Sequence, residues 1–149
     1  MNMGMIKNLT AGLLGSLALN ILHETLRKNG TIVPKVNLLG EEALNKTLIG
    51  IGQAPITDEE ELYKATLKAD LISNTIYYSL IGGKSKYIWP KAIFFGLSAG
   101  FSAIKLPEPL GLNPSPVTTT SQLKVLTVGY YLVGALVTGL ALKTLTKSS

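Results

Sequence analysis

A chain of 149 residues that is 46 % apolar and only 15 % charged makes one domain with a composition leaning toward membrane proteins. Fourteen Lys and Arg against nine Asp and Glu give a net charge of +5. No basic stripe with interleaved aromatics accompanies that charge, so no nucleic acid partner is expected and the excess suits lipid head groups. The absence of cysteine excludes disulfides, thiolate zinc sites and cysteine nucleophiles.

The charges are unevenly spread: long windows hold almost none, and the segments between them hold most. This pattern predicts an all-α, polytopic membrane protein: a four-transmembrane-helix bundle forming a single integral membrane domain over 1-149. The spans are expected at about 5-26, 62-81, 90-106 and 121-142, with a short amphipathic interfacial helix at about 37-51 between the first two. Lys7 followed by an apolar run has the look of a secretory leader. The run is too long for one and no small-x-small cleavage site follows it, so a retained anchor is expected. Asn8, Asn29 and Asn45 each begin an Asn-x-Thr triplet, which matters only in a secretory eukaryotic host.

On a helical wheel the first span has two faces. Asn8, Gly12, Gly15, Ser16, Asn20, His23 and Arg27 share a sector of about 140°, with Glu24 just beyond it. Leu14, Leu17, Ala18, Ile21 and Leu22 fill the rest and should meet lipid, because polar groups facing hydrocarbon are costly. Gly30 suits the helix stop. In the interfacial helix Leu44, Leu48 and Ile51 fall on one side, between the breakers Pro34 and Pro55.

Thr57 and Glu60 match a capping box, and the four acids Asp58 to Glu61 complement the positive end of the next helix. That helix gathers Tyr63, Asp70, Asn74, Tyr77 and, less centrally, Tyr78 on one face, and Gly82 and Gly83 stop it. Pro90 is placed at a first helical position of the third span, after the interfacial Trp89. Gly96, Gly100 and Ala103 lie on a stripe of small residues where another helix can approach closely, either within the bundle or in a homodimer. The proline-rich run 107–116 is expected to be extended and stiff, and the last span places Tyr130 and Tyr131 inside.

With four spans both termini share a side, which carries Lys7, Lys84, Lys86, Lys91, Lys143 and Lys147 and no acid. Net charge favours cytoplasmic termini in the plasma (inner) membrane, although the opposite side has more Lys and Arg, the quantity the topology rule counts.

Antiparallel docking of the first two spans brings Asn20, His23, Glu24, Arg27, Asp70 and Asn74 into one leaflet, with Tyr77 below them. An ionisable group inside a span is by default a functional-site hypothesis; its alternative is a polar clasp that fixes how two helices dock. One histidine without cysteine or an ExxH spacing supports no metal or haem site, and no cofactor is expected. No motif names a reaction. The expected role is therefore a non-catalytic bundle that self-associates as a homo-oligomer or joins a larger membrane complex in the lipid bilayer. The alternative is a small transporter or channel subunit using Asp70 and His23, and a membrane enzyme acting on a lipid or quinone is a weaker third.

Overall fold

A computed structural model describes residues 1–30 and 32–147. The described residues form helices and their connections, with no strand. The helices are α1 (Met3–Asn29), α2 (Val36–Gly50), α3 (Glu59–Ser79), α4 (Ile88–Lys105), the single turn α5 (Ser115–Thr118) and α6 (Ser121–Lys147). A 3-10 turn, Ser85–Tyr87, leads into α4.

The first and last helices form the centre. α1 packs on both α3 and α6, and α6 packs on α4 as well, so the long helices run in the order α3, α1, α6, α4. Tyrosines of α3 reach across the middle: the Tyr77 hydroxyl donates to the Phe95 carbonyl of the other outer helix, α4, at 3.0 Å, and the Tyr78 hydroxyl to the Tyr131 carbonyl of α6 at 2.8 Å. Small residues set the close approaches. A Cβ at Gly12 would meet the Thr75 carbonyl of α3, and one at Gly15 the Thr138 side chain and Gly134 carbonyl of α6. On the other flank, a Cβ at Gly96 would lie 2.9 Å from the Leu132 Cα and one at Gly100 2.6 Å from the Val128 Cα. Helices meet at such distances only where side chains are missing.

The two-faced reading of α1 matches the burial except at Leu22, which was expected to meet lipid and packs half-buried against the core. Ala11, Gly12, Gly15, Ser16, Leu19 and His23 are buried, whereas Leu14, Leu17 and Ile21 are exposed. Both central helices, α1 and α6, are long and apolar enough to cross a membrane. Two of the four expected spans thus meet that measure. α3 is interrupted by Lys64, Lys68 and Asp70, and α4 has only 18 residues with a lysine near each end.

Several local expectations change. The N-cap of α3 is Asp58, whose carboxylate accepts from the Glu61 amide at 2.8 Å, so the cap stands one residue after Thr57. Helix α4 begins at Ile88, which puts Pro90 inside its first turn, where no intrahelical partner is lost. Gly30 is extended (φ −106°) and serves by its size, since a Cβ there would lie 2.9 Å from the Leu26 carbonyl. The run 107–116 is folded into successive turns, with Leu112 N–H donating to the Pro107 carbonyl at 2.8 Å and Gly111 at φ +73°. Ile51 is exposed, and the face that α2 turns inward is Val36, Leu39, Gly40 and Ala43. Gly40 explains the change: the Thr66 methyl of α3 lies where its Cβ would be.

Polar contacts fasten α2 to the segment between α4 and α6. The Lys46 ammonium donates to the Leu110 and Gly111 carbonyls at 2.6 and 3.2 Å, and the Asn113 amide donates to Glu42 at 2.9 Å.

Candidate functional site: a polar chamber and an acid-lined groove

Four of the seven polar residues expected to cluster line one enclosed chamber. Asn20 and His23 reach it from α1, and Asp70 and Asn74 from α3. Its walls are completed by Leu19, by Val36 and Asn37 of α2, and by Tyr130 and Tyr131 of α6. The chamber measures about 10 Å³, the lower limit for a single water.

Each side chain is delivered by the packing already described. Ser16 donates to the Leu71 carbonyl of α3 at 3.1 Å, which fixes this face of α1 against α3, and Asn20 donates within α1 to the Ser16 carbonyl at 2.9 Å. His23, one further turn along, is 6 % exposed and meets the Tyr130 ring edge to face, with centroids 5.8 Å apart. Buried Pro34 offers its backbone carbonyl to the imidazole.

The polar inventory of this region does not close among the described residues. His23 Nε2, Asn37 Oδ1 and the Tyr130 hydroxyl, on chamber-lining residues, are buried without a hydrogen-bond partner, as is Thr66 Oγ1, whose residue lies outside the chamber walls. Each such group costs about 1–3 kcal/mol when left unsatisfied. Several orphans around one space mark a site for something the protein itself does not supply.

Asp70 stands at the edge of the chamber. Among the described residues it enters no ion pair; the pairs are Glu24 with Arg27, Glu24 with His23 and Glu60 with Lys64. Its carboxylate faces Gly40, where a Cβ would lie 3.5 and 3.6 Å from the two oxygens. Asp70 also lines a groove of about 260 Å³ between α2, α4 and the 107–116 segment. The groove's other walls are almost wholly apolar, among them Leu39, Ala99, Ala103, Leu106 and Leu110. Val36, Asp70 and Tyr131 line both spaces and therefore form the partition between them.

The remaining expected residues lie elsewhere. Arg27 donates to both oxygens of Glu24 at 3.1 and 3.0 Å. The Tyr63 hydroxyl also donates to Glu24, and the guanidinium lies 5.4 Å from the Tyr63 ring centroid. This group clasps the end of α1 to the start of α3 and leaves Asp70 out. Tyr77 turns toward α4 and is absent from the chamber walls. Gly96 and Gly100 are buried against α6, and Ala103 forms part of the groove wall.

Sequence reasoning missed Asn37, Thr66 and the role of Tyr130. Thr66 lies one turn before Asp70 and could have been read from the i, i+4 spacing. Asn37 carried no signal, because only the docking of α2 brings it in. Among the described residues no three His, Asp or Glu side chains converge on a metal-sized space. The chain matches no protein-family model, no curated protein and no solved structure.

Proposed function

We propose that the protein is a four-span integral membrane protein without catalytic activity, its termini cytoplasmic in the plasma (inner) membrane, serving as an accessory subunit of a larger membrane assembly. Large apolar side chains on the outward faces of all four long helices support this reading. They include Leu14 and Ile21 on α1, Ile72 and Ile76 on α3, Phe94 and Phe101 on α4, and Val125 and Leu140 on α6. In water such a surface invites aggregation, whereas in a bilayer it is what the solvent requires. Gly96 and Gly100 are already taken up by α6, which argues against a homodimer through that stripe. The expressed protein should stay with the membrane pellet through an alkaline carbonate wash and come off only with detergent. A monodisperse sample in plain buffer would overturn the proposal.

A second reading, a small transporter or channel subunit, is favoured by one observation: among the described residues Asp70 has no ion-pair partner at the partition between chamber and groove. A clasp would have paired it. Here the clasp is Glu24, Arg27 and Tyr63, and Asp70 remains free to take up a proton or a small cation. In vesicles containing the purified protein, Asp70→Asn should abolish proton-coupled flux while leaving the helical fold intact. Flux that survives both Asp70→Asn and His23→Ala would end this reading.

A further inference from the structure

We propose that the groove between α2, α4 and the 107–116 segment binds a small lipophilic amine, its ammonium on the Asp70 carboxylate and its hydrocarbon body against Leu39, Ala103 and Leu110. The assignment rests on the second reading for its site and adds the ligand class.

Charge complementarity selects the occupant. Among the described residues Asp70 is the one charged residue on the groove walls, and the other walls are mostly apolar, with Ser102 and Tyr131 as the polar exceptions. A half-buried carboxylate without a countercharge is costly, and an ammonium supplies that countercharge in a charge-assisted hydrogen bond. An anion would be repelled. A metal ion would find a single carboxylate, and among the described residues no group of three His, Asp or Glu side chains to complete its coordination. A phospholipid head group would bring its phosphate close to the same acid.

The chamber behind the partition provides the second, independent observation. An ammonium has three donors, and one carboxylate does not use them all. His23 and Tyr130 are 6 % and 2 % exposed and carry unpartnered polar atoms on the far side of Asp70, as does Asn37. The chamber has room for a single water, which would satisfy these acceptors and hydrogen-bond to the Asp70 carboxylate that holds the amine from the other side. An amine arriving neutral from the hydrocarbon takes the carboxyl proton from the Asp70 oxygen to its nitrogen, leaving an ammonium and a carboxylate. One arriving already charged meets the ionised acid, and the bound state is the same.

The groove volume of about 260 Å³ lies just under the usual range for small-molecule pockets, about 300–1,000 Å³, and suits a body of roughly six to eight carbons.

The probe is radiolabelled n-hexylamine, equilibrated by dialysis against the full-length protein in dodecylmaltoside micelles and corrected for empty micelles. Binding should saturate at one amine per chain, and n-hexanol at the same concentration should not displace it. Asp70→Asn should weaken binding at least tenfold. Ala103→Phe, which fills the groove while leaving the acid in place, should weaken it comparably, so the test survives if one variant fails to fold. Binding that never saturates, is displaced equally by n-hexanol, or is unchanged in the folded variants overturns the assignment. Proton flux through Asp70 without amine binding would remove the ligand and keep the transport reading. Saturable, Asp70-dependent binding without flux would do the reverse.

Discussion

Replacing Gly15 by isoleucine is expected to cost the folded bundle about 3 kcal/mol or more, at the upper end of the range for overpacking. The position has no slack. A first side-chain carbon would run into the Thr138 side chain, which is fully buried, and into the Gly134 carbonyl oxygen, which belongs to the α6 backbone. A flexible side chain can swing aside, but a helix backbone cannot. Relief requires α1 and α6 to separate, which opens their shared interface along its length. Thermal unfolding in detergent, followed by far-ultraviolet circular dichroism, should show a much lower midpoint or no folded protein. Leu14→Ile, on the neighbouring position that is 46 % exposed, should leave the midpoint nearly unchanged. Equal midpoints for Gly15→Ile and the parent would mean that α1 and α6 do not meet there.

The second large effect is expected at Tyr78, whose exposure is 0 %. Its ring occupies the space that Gly134 vacates, since a Cβ at that glycine would lie 2.7 Å from the Tyr78 hydroxyl oxygen. Tyr78→Ala leaves an aromatic-sized void and should destabilise by about 3–5 kcal/mol. Tyr78→Phe keeps the ring and loses only the bond to the Tyr131 carbonyl, a cost of about 1 kcal/mol plus the penalty of a less satisfied carbonyl. The same melting experiment separates the two contributions. Near-equal losses from Phe and Ala would assign the stabilisation to the hydroxyl and contradict the packing account.

Much of the architecture was legible because it rests on periodicity. The small and polar face of α1 predicted which side would be buried, and the stripe of Gly96 and Gly100 predicted a close approach. The site was legible only as far as α1 and α3 define it. Asn20, His23, Asp70 and Asn74 were found from depth and facing alone, whereas Glu24 and Arg27 were grouped with them and lie off the chamber wall, where Glu24 holds Arg27 and touches the cluster only through His23 at 4.0 Å. Depth says which layer a side chain occupies, and partner choice within a layer is decided by sub-turn rotations that a wheel does not resolve. Asn37 and the groove were illegible for another reason. They depend on α2 settling against α3 at Gly40 and on a folded 107–116 segment, and proline content alone read that segment as straight. Tyr78 was placed at the margin of its face and lies at the centre of the packing, because Gly134, three helices later in α6, makes its room.

The position of α1 between α3 and α6 also governs biogenesis. Helix α1 needs as its neighbour a helix translated more than ninety residues later, so its Gly15 side and His23 stay uncovered until α6 has been made. The nascent protein must therefore hold a half-polar helix in waiting over that stretch of synthesis. A chain cut short before α6 would leave that surface open to whatever insertion factor or quality-control protease meets it first.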